Sequence, residues 1–395
     1  MAATSFRCVV FGAGALGLGF LGPELAPEAP VVFVDVPARA DLAAPLRAAG
    51  CYVFNEAGLS LRTVRVGNVD ALCLDARTTP EVLGVLEGAD LVITAVGASN
   101  LHRLVPLLSR AAAERPARRP LRIACAENGV EIAAGLRRAI EQAAGGGFAA
   151  APLIGDTVMG RMCTIVQPVR PPLQPPAPGL DWAVVAEPFY GIPVQEHVLD
   201  GLDNLPAALE PQAPARFRAS EDVKMLSHNG LHFVLACLGR LRGVQTFPEL
   251  RVQPDLLELG RRLLIDEAGA ALQARHGAAL GRSEYMNYCD AILRRITSPL
   301  LNDPIARGVR AIMRKLEPGE RIVYGLRTVA ARGVEPVAFA TGLAAAVRIA
   351  RETGQTHQGL REVLAGHCGL APDRDAELAA LVEAQDAALA RSGPS

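Results

Sequence analysis

Apolar positions recur along this chain with two different periods. In the first half, short continuous apolar runs at 7–11 (RCVVF), 31–36 (VVFVDV), 89–97 (ADLVITAVG) and 121–129 (LRIACAENG) alternate with stretches of helical period such as 99–115 and 130–144. Runs of that length read as strands buried on both faces, and strands alternating with helices predict a parallel sheet with crossover helices. DWAVVAEP (181–188) reads as one more strand. Residues 167–180 (QPVRPPLQPPAPGL) carry six prolines. Their fixed φ and missing N–H exclude a helix or a central strand, so this is a loop or an insertion.

Beyond about residue 220 the helical period takes over, at 221–242, 253–276, 283–296, 336–351 and 375–391, with turn signals such as EPGE (317–320) between. Ser220 followed by Glu221 and Asp222 predicts a helix start there, a capping hydroxyl and then acids facing the positive end of the dipole. The polar, Pro-containing stretch 201–219 predicts a boundary, with domains at 1–215 and 216–395. There is no internal repeat. The fold class is α/β, a doubly wound sheet followed by a mostly α-helical second domain.

A length of 395 residues suits two or three domains. Basic and acidic residues nearly cancel, 40 against 41, so no general field attracts nucleic acid or an acidic membrane. Aromatics at 4% are too few for a base-stacking platform. No apolar run approaches the ~18 residues of a membrane span. The apolar N-terminal stretch is broken by five glycines and lacks a clean cleavage site, so it reads as structure rather than a signal peptide. The eight cysteines are scattered, without CxxC, as in a reducing compartment. A cytoplasmic protein with neither nucleic acid nor membrane as partner is expected.

Gly12-x-Gly14-x-x-Gly17 sits between the first strand and a helix opened by Ala15 and Leu16, and Asp35 closes the second strand. This context makes the motif a dinucleotide-binding fingerprint and the first domain Rossmann-like. Gly12 makes the turn, Gly14 lets backbone approach a pyrophosphate, Gly17 packs helix on strand, and the helix N-terminus faces the phosphates. An acid at Asp35 accepts from a ribose 2′-hydroxyl and repels a 2′-phosphate, which favours NAD over NADP. Val96 and Gly97 close a strand beside the same crevice and suit the nicotinamide ribose.

Dehydrogenating an alcohol without a metal requires a base and donors for the developing oxyanion. The chain holds only two lysines, Lys224 and Lys315, against 38 arginines. A lysine can shed its proton where an arginine cannot. Lys224, Asn229 and His232 share one broad face of a predicted α-helix. Lys224 near that helix's N-terminus is expected to have a lowered pKa. His228 and His232 have a metal-compatible spacing, but no third ligand accompanies them and no HExxH occurs, so no metal is expected.

These residues carry a resemblance. KMLSHNGLH (224–232) resembles the K-x4-N-x2-H motif of the polyol-specific long-chain dehydrogenases, the mannitol dehydrogenase family. VVFGAGALGLGFLG, ADLVITAVG, IACAENG, LGRLRGVQTF (238–247) and RKLEPGERI (314–322) resemble further family segments in the same order, over most of the chain. The length suits the mannitol-1-phosphate 5-dehydrogenase branch. The resemblance implies Lys224 as general base in oxidation and acid in reduction, Asn128 and Asn229 as donors to the reacting oxygen, and His232 as the residue that orients the polyol. It implies an NAD-binding domain, a mostly helical domain with the active site between them, no zinc, and a monomer or homodimer acting on a small sugar or polyol.

Met159-Gly160-Arg161 departs from the branch's Val-Asp-Arg, which leaves Arg161 as the expected substrate contact and removes an acid. One residue is inserted around Ala126. Arg310, Arg314, Lys315 and Arg321 suit a phosphate monoester or, equally, structural ion pairs. The lead expectation is interconversion of mannitol 1-phosphate and fructose 6-phosphate. A free-polyol or uronate-type dehydrogenase, a ketopantoate-reductase-like enzyme and a non-catalytic NAD-binding sensor are the alternatives.

Overall fold

A computed structural model of the chain describes residues 6–129, 131–188 and 190–391. The chain divides into two compact units, Met1–Phe217 and Arg218–Ser395. The described strands are β1 (Cys8–Phe11), β2 (Val31–Asp35), β3 (Cys51–Ala57), β4 (Leu61–Gly67), β5 (Val69–Cys73), β6 (Leu91–Thr94), β7 (Arg122–Cys125), β8 (Leu153–Asp156), β9 (Cys163–Val166), β10 (Ala183–Ala186), β11 (Ile192–Gln195) and β12 (Leu209–Gln212).

Six of them form one sheet in the order β5-β2-β1-β6-β7-β8, every neighbouring pair parallel. The order reverses between β1 and β6, so the crevice outside the carboxyl ends of those two strands is where such a sheet takes a ligand. Helices cover both faces, which is why the strands read as unbroken apolar runs. Cys8 and Val10 enter one core with Phe33 and Leu91. Val9 and Phe11 enter the other with Val34 and Val92. Each such fully buried side chain contributes about 1.5–3 kcal/mol.

A second sheet runs β4-β3-β10-β9. The β3–β4 hairpin is antiparallel, β10 lies parallel to β3, and β9 pairs antiparallel with β10. The Pro-rich segment is the connection from β9 to β10 and contains neither helix nor strand. It is not loose: Asn55 Nδ2 donates to its Gln174 carbonyl at 2.8 Å, and Gln174 N–H donates back to Asn55 Oδ1 at 2.9 Å.

The second unit is helical throughout its described residues. Its innermost helix, Val337–Glu352, is buried along most of its length. The helix expected to start at Ser220 instead starts at Pro214. A proline fits the first helical turn, where its missing N–H would lack a partner anyway, and it outweighs the capping signal six residues later. Lys224 therefore lies well inside the helix. The dipole effect fades beyond the first turn, so it does not act on this lysine as expected. Among the described residues no helix is long and apolar enough to cross a membrane. All eight cysteines are free thiols.

Candidate active site

In the first unit the glycine loop connects β1 to a helix beginning at Ala15. Gly12 has φ +106°, and a Cβ there would stand 2.4 Å from the Ala95 carbonyl oxygen. A Cβ at Gly17 would stand 2.1 Å from the Gly12 carbonyl oxygen, so this glycine lets the helix close onto its own turn. A Cβ at Gly14 would meet nothing within 4 Å. That position is open, as backbone approached by a pyrophosphate must be. Asp35, at the end of β2, accepts the Ala13 N–H at 2.8 Å through Oδ2 and the Val36 N–H at 2.7 Å through Oδ1. Its carboxylate thus stands at the mouth of the glycine turn.

Across the crevice the β6 loop is held by Glu127. Its Oε1 accepts the Val96 N–H at 2.9 Å and its Oε2 the Gly97 N–H at 2.8 Å. Burial pushes the Glu127 carboxyl up, and these two backbone bonds work against it without cancelling it. Gly97 has φ +86° and opens the next helical turn. Asn128 follows Glu127 in the loop after β7, and its residue is exposed.

In the second unit the helix bearing the lysine motif is not a plain α-helix. Val223–Gly230 is wound as a π-helix and continues as the α-helix Leu231–Leu241. Hydrogen bonds reaching five residues bring Lys224 and Asn229, five apart, onto one face, closer than α geometry allows. A second π turn, Leu263–Gly269, is tied to the first. Tyr285 OH donates to the Leu264 carbonyl at 2.7 Å and receives the Ser227 hydroxyl at 2.8 Å. His228 is 6% exposed. Burial, then the charge of Lys224, holds it well below the ordinary histidine value.

His232 Nε2 and Asp303 Oδ2 share a hydrogen bond at 3.1 Å. Its ring stacks on Phe247, centroids 4.2 Å apart and planes 26° apart. Arg307 Nη2 reaches the same Asp303 oxygen at 2.6 Å.

The basic cluster is partly spent on itself. Arg314 and Arg321 both pair with Glu320. Lys315 donates to the Gly308 carbonyl at 2.6 Å, and its ammonium lies 5.4 Å from the centre of the Phe233 ring. Burial and then the charge of Arg321 push Lys315 down to about 8. Arg310 is exposed. Arg161 is placed differently from the expected substrate contact: its side chain is 1% exposed, paired with Glu24 at 3.1 Å and Glu56 at 3.5 Å inside the first unit. Its guanidinium also lies over the rings of Phe20 and Phe54.

Two residues escaped the sequence reading. Glu127 was visible in IACAENG, but its backbone partners lie in another loop, the one after β6. Asp303 is 71 residues from His232, and no spacing links them.

The mannitol dehydrogenase Rossmann domain model matches residues 6–205, and the mannitol dehydrogenase C-terminal domain model matches residues 218–371. The chain is 31% identical to a mannitol-1-phosphate 5-dehydrogenase of Pseudarthrobacter chlorophenolicus, over 95% of this chain and 93% of that protein. It is 27% identical to one of Exiguobacterium sibiricum, over 96% and 97%. Among solved structures, Pseudomonas fluorescens mannitol 2-dehydrogenase in ternary complex with NAD and D-mannitol superposes with a TM-score of 0.73 at 15% identity, covering 99% of this chain and 93% of that one. A D-sorbitol dehydrogenase in substrate-free form gives 0.71 at 15% identity, over 98% and 94%.

Proposed function

The chain belongs to the mannitol dehydrogenase family, oxidoreductases acting on CH–OH groups, and from that premise we propose that it is an NAD-dependent polyol-phosphate dehydrogenase interconverting mannitol 1-phosphate and fructose 6-phosphate. The observation that carries the reading is the lysine motif, Lys224 and Asn229 stacked on one π turn, in a chain similar over nearly its full length to proteins named for that reaction.

The first unit fits a dinucleotide. Gly12, Gly14 and Gly17, with the helix opened by Ala15 and Leu16, take the pyrophosphate. Asp35 takes the adenosine ribose hydroxyls, and Val96 and Gly97 line the nicotinamide ribose. A dinucleotide held by these residues would supply the hydride acceptor for oxidation of the carbinol and, in its reduced form, the hydride donor for reduction of the carbonyl. Lys224 Nζ takes the hydroxyl proton in oxidation and gives it back in reduction. The side-chain amides of Asn128 and Asn229 donate to the reacting oxygen as its charge develops. His232 orients the polyol chain. No step needs a metal. The eight free thiols suit a reducing compartment, and we place the enzyme in the cytoplasm.

Of the basic cluster, exposed Arg310 is the residue we assign to the phosphate. The self-pairing of Arg314, Arg321 and Glu320 and the hydrogen bond of Lys315 to Gly308 favour a second reading, dehydrogenation of a free polyol. Replacing Lys224 by Ala separates chemistry from binding. Turnover is expected to fall about 10²–10⁴-fold while NADH still binds. Near-normal turnover would remove Lys224 from the mechanism.

A further inference from the structure

We infer that Asp303 is a positioning residue that pins His232 with its proton on Nε2, so that Nδ1 meets the substrate as a hydrogen-bond acceptor and reads a hydroxyl rather than the reacting carbonyl. The tautomer rests on the hydrogen bonds to Asp303 and on the charge states of the two groups. The identity of the hydroxyl rests on the proposed polyol chemistry.

The Asp303 side chain is 6% exposed, and its pairing runs through one oxygen. Oδ2 receives both His232 Nε2 and Arg307 Nη2. Oδ1 is buried and takes no hydrogen bond among the described residues. Burial pushes this carboxyl up, but the hydrogen bonds from His232 and Arg307, with the Arg307 charge, more than reverse that and hold it below the ordinary 3.8. An ionised carboxylate only accepts, so the imidazole must donate.

The ring itself stays neutral, because burial works against the imidazolium and outweighs the pull of Asp303. A neutral imidazole with hydrogen on Nε2 offers only a lone pair at Nδ1.

The arrangement is held from several sides. Phe247 fixes the ring plane by stacking, and its N–H donates to the Asp303 carbonyl at 2.9 Å. Thr246 bridges to Pro304. Lys315 holds the Gly308 carbonyl at the far end of the same segment. Gly308 lies against the ring: a Cβ there would stand 3.3 Å from His232 Cε1.

The consequence is a division of labour. A ring that can only accept cannot stabilise an oxyanion, which leaves that work to Lys224, Asn128 and Asn229. What it can do is accept a hydrogen bond from a neighbouring hydroxyl. A site built to bond a hydroxyl rejects the analogue without it far more strongly than an apolar pocket rejects a missing methylene.

The test starts with the wild-type protein free of substrate. Nitrogen-15 NMR of the histidine side chains, with His232 assigned by its loss in His232→Gln, reads the tautomer at neutral pH. The Nε2–H form is expected. In Asp303→Ala, Nε2 loses its acceptor, so the ring should lose its preference for the Nε2–H form. Kinetics with fructose 6-phosphate and its 1-deoxy and 3-deoxy analogues complete the test. Wild type should lose at least about 10²-fold in kcat/KM on one analogue, and Asp303→Ala should lose most of that discrimination. An Nδ1–H or imidazolium signal in wild type would overturn the inference, as would unchanged discrimination in the variant. Absence of turnover with any polyol or ketose would instead refute the proposed function, and the NMR result would still decide the tautomer.

Discussion

Glu127 Oε2 accepts the Gly97 backbone N–H at 2.8 Å, joining the loop after β7 to the loop after β6. With its second bond to Val96, the carboxylate satisfies two successive N–H groups that the end of a strand would otherwise leave unpaired. It also anchors the residue next to Asn128. Glu127→Ala is expected to cost about 0.5–1.5 kcal/mol in denaturant unfolding, because two N–H groups, one half-buried and one exposed, lose their acceptor. The KM for NADH should rise with it. A variant of unchanged stability and KM would show that the loops are held by something else.

The three motif glycines make opposite demands. Gly17→Ala places a methyl 2.1 Å from the Gly12 carbonyl oxygen, and backbone must move. That variant should lose a few kcal/mol of stability, like other overpacked core positions. Gly14→Ala meets nothing within 4 Å, so its melting temperature should stay close to wild type while NADH affinity falls. Paired measurements of melting and of NADH fluorescence check both. Equal destabilisation by the two changes would contradict these assignments.

His228 makes stability pH-dependent with a definite sign. Its native pKa lies well below 6.5. Between that value and 6.5 the unfolded chain binds a proton that the folded one does not, so stability rises with pH in this window. Acidification below 6.5 therefore destabilises, by up to about 1.4 kcal/mol per pH unit, and above it His228 adds no dependence. His232, also lowered, adds in the same direction. His228→Leu should flatten the slope by about one proton in urea titrations across this window. An unchanged slope would show that His228 does not titrate as stated.

What could be read from the sequence was local. The β1 run, the glycine turn and Asp35 lie within one βαβ unit, and each glycine there answers a constraint set by near neighbours. The K-x4-N-x2-H spacing was equally visible, but its π winding was not, because nothing in the residue pattern separates a π turn from an α turn. The β3–β4 hairpin was missed for a physical reason. Asn55 and Glu56 are buried in β3 and break its apolar signal. Asn55 is satisfied by Gln174 and Val184, 119 and 129 residues away. Arg161 has the same character: its partner Glu24 is 137 residues distant, so a buried ion pair read as a free substrate contact. Long-range pairs of this kind decide which charges are spent on the fold and which remain for a ligand.

The most direct test compares fructose 6-phosphate with fructose as substrates for NADH oxidation by the purified protein. The account predicts turnover of the phosphate ester with little or none of the free sugar, and a selective rise in the phosphate ester's KM in Arg310→Ala. Turnover of fructose in preference to its phosphate would contradict it and establish the free-polyol reading within the same family.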